Sequence, residues 1–116
     1  MRFKVVRNYS RTLISSSENR RARVSYSDKA FTFPNEGFGD LVVFTTKKAA
    51  VAYIKAMQTY YGIYELWSCI YTPPVCNYMK NDWSETTINS CRMLDPKYRT
   101  HFRLAGSVKL IRRLDV

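Results

Sequence analysis

The chain has 116 residues, of which 46% are hydrophobic and 15% aromatic. We expect a single domain over residues 1–116 with a real core, because a disordered chain is poorer in both residue classes. The net charge of +10 is large for this length and favours an anionic partner. No apolar stretch approaches the roughly 20 residues that cross a bilayer.

The positive charge is concentrated at the two ends of the chain. Residues 1–29 hold eight Lys or Arg against two acidic residues, which gives +6. Residues 30–90 hold four against five, which gives −1, and residues 91–116 hold seven against two, which gives +5. If the first thirty and the last twenty-five residues meet in the fold, they form one basic surface.

The sequence favours a cytoplasmic location. Charged residues interrupt the apolar ones over Met1–Arg7, a pattern that does not fit a signal peptide. The cysteines are Cys69, Cys76 and Cys91, and no pair has the C-x-x-C spacing. An odd number of thiols without that spacing is typical of a reducing compartment, where they act as small apolar side chains.

The first third of the chain predicts short strands. Phe3–Arg7 alternates, with Phe3 and Val5 on one face and Lys4 and Val6 on the other. Asn8–Arg11 breaks this strand and Thr12–Ile14 continues it. Two more strands are predicted, and they are Arg21–Tyr26, with a basic exposed face, and Ala30–Phe33, which ends at a proline.

The middle of the chain predicts a strand, a helix and a strand. Leu41–Phe44 is a short apolar, β-branched run, and Tyr64–Thr72 is aromatic and branched. Between them we predict the main helix, at about residues 46–61, ending before Gly62. Its apolar stripe consists of Ala49, Ala50, Tyr53, Ile54 and Met57.

The last part of the chain is less regular. Val75–Pro96 has no clean period, and a loop of that length is often functional. After a turn at Ala105–Ser107, Val108–Leu114 predicts the final strand. The predicted fold class is therefore α+β, with a mixed or antiparallel sheet of five to six strands and one main helix packed on it.

The sequence gives little support for catalysis. His101 is the one histidine, and no His, Cys or carboxylate cluster has metal-ligand spacing. The glycine-rich nucleotide motifs and the G-x-S-x-G motif are also missing. We expect no cofactor, no metal and no enzymatic activity. An ADP-ribosyltransferase-like enzyme, which uses Arg, Ser and Glu on separate strands, stays open as a minor alternative.

Arginines dominate the two basic segments. The planar guanidinium group donates two parallel hydrogen bonds and therefore suits phosphate. The other interpretation is a solvated charged surface, but the imbalance is too large to favour it. The candidate phosphate-binding arginines are Arg7, Arg11, Arg21, Arg23, Arg99, Arg103 and Arg112.

Aromatic residues crowd the middle of the chain, and rings near arginine can stack nucleobases. We expect Tyr53 and Trp67 to pack helix against sheet, as aromatic residues do in small cores. Tyr78 and Trp83 lie in the long loop and are the better candidates for stacking on a ligand.

Three short stretches resemble the small phage proteins that counter the Thoeris defence. They are Lys4–Asn8, the helix entry Phe44–Ile54 and the turn Gly106–Val108. The resemblance implies a non-enzymatic protein that assembles as a homo-oligomer. It also implies sequestration of immune signalling nucleotides, namely cyclic ADP-ribose isomers and in some cases cyclic oligonucleotides. By this motif Arg7, Asn8 and the Gly106 turn carry over as site residues.

The sequence as a whole favours a non-catalytic viral counter-defence protein that sequesters a signalling nucleotide. Arginines would pair with the phosphates and an aromatic side chain would stack on the base. Two alternatives stay open. One is a basic nucleic-acid-binding protein, and the other is an inhibitor that docks on an acidic protein surface.

Overall fold

The computed structural model describes residues 2–16, 23–36, 40–61, 63–74 and 102–116. These residues form six strands and one helix. In chain order they are β1 (Arg2–Tyr9), β2 (Thr12–Ser15), β3 (Leu41–Phe44), α1 (Lys47–Tyr61), β4 (Ile63–Thr72), β5 (Phe102–Ala105) and β6 (Ser107–Leu114).

The strands form one sheet in the order β5-β3-β1-β4-β6, and β2 pairs with β1 beside this path. Every pair is antiparallel. The α+β prediction is confirmed, and of the two sheet types left open the antiparallel one is present. The predicted helix is also confirmed, with its first residue at Lys47.

The sheet curls into a half-barrel. β5 and β6 lie at opposite ends of the strand order, yet only Gly106 separates them in the chain. Residues 23–32 also connect two separated strands of the sheet, β2 and β6. Tyr26 N–H donates to the Leu13 carbonyl on β2 at 2.7 Å, and Leu110 N–H on β6 donates to the Ser27 carbonyl at 3.0 Å.

This crossing explains two wrong predictions. In its described part, Arg21–Tyr26 forms a single bridge, between Ile14 and Ser25, and Ala30–Phe33 forms a single bridge, between Thr32 and Val108. The segment changes partner from β2 to β6 within a few residues, so neither pairing becomes a ladder. The predicted alternation nevertheless holds, since Val24 and Tyr26 are buried while Ser25 is exposed.

The hairpin between β1 and β2 is tighter than predicted. β1 runs to Tyr9, beyond the break predicted at Asn8, and Ser10 and Arg11 alone form the turn. Both turn residues have positive φ, 49° and 69°. Two consecutive positive φ values are typical of the two-residue turn whose twist matches that of the strands.

The two faces of the sheet carry two apolar clusters. The inner face, enclosed by the curl, holds one cluster that includes Val6, Val43, Cys69, Val108 and Leu110. The outer face holds the other cluster, which includes Val5, Phe44, Tyr64 and Leu66 and is covered by α1. The predicted alternation along β1 is therefore confirmed.

The helix attaches to the outer face as its stripe predicted. Ala49, Ala50, Tyr53 and Ile54 are all buried against the sheet, and the Tyr53 ring lies 5.4 Å from the ring of Phe44. Thr46 caps the first turn, since its Oγ1 accepts the Ala49 N–H at 3.2 Å. Within the described ranges, no helix is long and apolar enough to cross a membrane.

Candidate anion-binding site

Arg7 is a buried cation on the outer face. Its Cα pairs with Ile14 on β2 and with Tyr64 on β4, so the arginine lies between two strands. The side chain is only 8% exposed, and its Nε finds no hydrogen-bond acceptor among the described residues. A buried charge without a partner is costly, and buried charges in proteins are normally paired.

Arg23 reaches the same face from the crossing segment. The bridge between Ile14 and Ser25, with Ser15 N–H donating to the Val24 carbonyl at 3.1 Å, sets Arg23 opposite Ser16. Arg23 is half-buried, and its buried Nε also lacks an acceptor among the described residues. Two arginines whose Nε donors have no acceptor in the described ranges therefore share one side of the sheet.

Hydroxyl groups accompany the two arginines. The Ser16 Oγ and the Tyr53 Oη share a hydrogen bond of 3.0 Å, which ties the end of β2 to α1. From strand spacing, the Cα atoms of Arg7 and Arg23 are roughly 12 Å apart, a gap that two arginine side chains can span to one ligand. Arg7, Ser16, Arg23 and Tyr53 are called the Arg7–Arg23 site below. Guanidinium and hydroxyl donors together suit phosphate oxygens.

Asn8, the next residue along β1, lies on the opposite face. Its Nδ2 donates to the Glu65 Oε2 at 2.8 Å, and the Trp67 Nε1 donates to Glu65 Oε1 at 3.0 Å. The Arg113 Nε lies 3.8 Å from the same Oε1, and Glu65 itself is 5% exposed. Asn8 is thus bonded to a buried carboxylate on the inner face and is separate from Arg7.

The other predicted site residues are dispersed. Arg11 is exposed in the β1–β2 turn, where its N–H donates to the Asn8 Oδ1 at 3.2 Å. Arg103 and Arg112 are exposed, with Arg103 opposite Val43 and Arg112 opposite Ser68. Four predicted residues lie outside the described residues, namely Arg21, Arg99, Tyr78 and Trp83.

The described parts of the two basic segments are neighbours, but they do not make one patch. β1 and β6 flank β4, and the 27–32 stretch bonds directly to β6. However, Arg7 lies on the outer face, while Arg113 reaches Glu65 on the inner face. Strand alternation therefore divides the positive charge between two surfaces.

Several polar residues of interest were not singled out from the sequence. Lys4 is only 6% exposed on the inner face, and Arg2 has a buried Nε without an acceptor among the described residues. The alternation of β1 contained this signal, because it placed Lys4 beside Val6. The bond that Glu65 accepts from Asn8 crosses from β4 to β1 and depends on strand register, which the sequence pattern did not indicate. Trp67 lies two residues from Glu65 on the same strand, so that bond needs no register.

Comparison of the chain with protein-family models, curated proteins and solved structures finds no match. In the part of the chain that is described, no three His, Cys, Asp or Glu side chains are grouped to hold a metal ion.

Proposed function

We propose that the chain is a non-catalytic protein that binds a phosphate-bearing ligand at the Arg7–Arg23 site. The observation that carries the proposal is the Arg7 guanidinium, which is 8% exposed and whose Nε has no acceptor among the described residues. Taking such a group out of water costs several kcal/mol unless an anion compensates it. A phosphate group supplies both the negative charge and the acceptor oxygens.

Arg23 extends the argument from one anionic group to a larger ligand. Its Nε is buried without an acceptor in the described ranges, and the Ser16–Tyr53 hydroxyl pair lies on the same face. Donors spread over roughly 12 Å fit a ligand with more than one phosphate or with a phosphate and a sugar. A nucleotide has this form.

The resemblance to the phage proteins that counter Thoeris suggests the biological role. In the proposal, the ligand is a signalling nucleotide made by a host immune enzyme, and binding removes it from solution. The protein would act in the host cytoplasm as a homo-oligomer, since a subunit interface would enclose the ligand. An aromatic side chain would stack on the base, the role expected of Tyr78 or Trp83.

A nucleic-acid-binding protein is the second candidate, and one surface favours it. Lys47, Lys48 and Lys55 line a groove of about 510 Å³ on α1, together with Val51 and Ala52. Exposed lysines along a helix fit a phosphate backbone. Binding of this kind weakens steeply with salt because counterions are released, whereas a small nucleotide gives a shallower dependence.

A thermal-shift screen tests the proposal. The ligands are cyclic ADP-ribose isomers, cyclic di- and trinucleotides, NAD and short single-stranded DNA. A ligand that binds only the folded state raises the melting temperature, because it stabilises that state by a free energy of RT ln(1 + [L]/Kd). We expect one nucleotide class to give the shift, and a protein target becomes the better hypothesis if none does.

Matched arginine variants then locate the site. Arg7→Gln and Arg23→Gln should each weaken the selected ligand at least tenfold. Arg112→Gln, which removes the same charge from an exposed position on β6, should change the affinity less than twofold. An equal loss in all three variants would show that binding follows total charge, as for nucleic acid, and would remove the Arg7–Arg23 site from the proposal.

A further inference from the structure

A second group of cations lies on the inner face, at the end of β1 remote from Asn8. Arg2 pairs with Cys69 on β4, and its guanidinium carbon lies 5.5 Å from the centre of the Tyr71 ring. Its Nε is buried and has no acceptor among the described residues. The ring contact favours the cation at this position, while the Nε donor has no acceptor in the part of the chain that the structure describes.

Lys4 reinforces the positive charge at this end. It is 6% exposed, its Nζ donates to the Val42 carbonyl at 2.6 Å, and the same atom lies 4.7 Å from the Tyr26 ring centre. Neither Lys4 nor Arg2 forms an ion pair with any described residue. A carbonyl and a ring partly stabilise an ammonium group, but they leave its net charge in place.

Cys69 lies within range of the charges of both Arg2 and Lys4. Burial raises the pKa of its thiol to about 11, and the neighbouring charges of Lys4 and Arg2 act in the opposite direction. Both of these side chains stabilise negative charge at this end of the inner face. The thiol itself stays protonated near neutral pH and does not supply that charge.

We propose that Arg2 and Tyr71, with Lys4 behind them, form a second anion site that takes the phosphate or carboxylate group of a small molecule. A planar guanidinium group can donate two parallel hydrogen bonds to two oxygens of one oxyanion. Lys4 is too buried to contact the ligand, and its positive charge attracts the anion through the electrostatic field. Arg2 and Arg7 are five residues apart on β1, or roughly 17 Å, and they face opposite ways, so this site does not depend on the Arg7–Arg23 site.

Titration calorimetry with pyrophosphate tests the second site in an Arg7→Gln/Arg23→Gln background, which removes the first one. We expect one binding site to persist in that variant. Adding Arg2→Gln should weaken it at least tenfold, and adding Arg112→Gln should change it less than twofold. Citrate titrated in parallel shows which of the two ligand groups the site takes. A site selective for carboxylates binds citrate more tightly, and a site selective for phosphates binds pyrophosphate more tightly.

Two further variants distinguish a loss of binding from a folding defect in Arg2→Gln. Arg2→Lys keeps the charge and loses the planar fork, so it should bind with intermediate affinity. Tyr71→Leu releases the guanidinium and should weaken binding several-fold. If neither anion binds the background variant, or if Arg2→Gln binds as well as Arg112→Gln, the second site is excluded, whatever the outcome at Arg7.

Discussion

Arg7 and Asn8 are consecutive in the sequence, yet their side chains lie on opposite faces of the sheet. Arg7 is buried on the outer face, between Ile14 and Tyr64, while Asn8 donates to the buried Glu65 on the inner face. One small ligand cannot contact both. A binding role for this pair therefore belongs to Arg7, and Asn8 holds a carboxylate in position.

Replacing Arg7 by an apolar residue should separate stability from binding. Arg7→Met removes a buried cation without a described partner, so the free energy of unfolding of the ligand-free protein should rise by about 1 kcal/mol. The same variant should lose ligand binding. Urea unfolding without ligand measures the first effect, and Arg112→Met is the exposed control, expected within about 0.5 kcal/mol of the wild type. A loss of more than about 3 kcal/mol in Arg7→Met would mean that the guanidinium is paired in the native state.

Capping of α1 gives a second prediction. Thr46→Ala removes the Oγ1 that accepts the Ala49 N–H, and this should lower the free energy of unfolding by about 1 kcal/mol. Thr46→Ser keeps the acceptor and should recover most of that loss. Both values come from chemical denaturation monitored by circular dichroism. Equal losses in the two variants would assign the effect to the threonine methyl group and its packing.

The elements with strong local patterns were predictable from the sequence. Leu41–Phe44 and Tyr64–Thr72 are rich in β-branched and aromatic residues, the helix has an apolar stripe of period 3.6, and threonine or glycine lies at their termini. The segment around Ser27 was not predictable as a crossing, because its hydrogen bonds go to two distant edges while its alternation is the same as that of a regular strand. Most of its residues have one backbone bond or none to either edge, so the local pattern suggested strands that do not form.

The candidate site shows the same limit. Composition and residue type indicated arginine as the phosphate ligand, and Arg7 and Arg23 were among the residues expected. Which arginines share a face depends on register, so Arg11 and Arg112 were expected beside them and are exposed elsewhere. Burial of Arg7 and Lys4 depends on α1 and on the 23–32 crossing, which cover β1 from both sides.

The buried thiol predicts how stability depends on pH in alkaline solution. Burial raises the pKa of Cys69 from 9.0 to about 11, so the unfolded chain releases this proton first as the pH rises. The contribution of the thiol to stability is complete below pH 9 and is lost between about pH 9 and 11. In a Cys76→Ser/Cys91→Ser background, the stability difference between Cys69 and Cys69→Ala should fall by about 2 kcal/mol across this window. A difference that stays constant with pH would show that the thiol titrates alike in both states.

The bonds around Glu65 give the last prediction, since both carboxylate oxygens accept an N–H inside the sheet. Glu65→Gln turns one oxygen into a donor that must face either the Asn8 amide or the Trp67 indole. One buried donor then loses its acceptor, so the free energy of unfolding should fall by about 2–3 kcal/mol. Glu36→Gln is the exposed control, expected within about 0.5 kcal/mol of the wild type.

A double-mutant cycle assigns that loss to its partner. In Asn8→Ala the amide of residue 8 is absent. The glutamine at position 65 can then direct its NH2 group toward residue 8 and its oxygen toward the Trp67 indole, so that no two N–H donors face each other. The loss caused by Glu65→Gln should therefore be smaller by about 1 kcal/mol in Asn8→Ala than in the wild type. Additive losses would show that Asn8 does not share the carboxylate. In that case the interaction with Trp67 and Arg113 would account for the burial of Glu65.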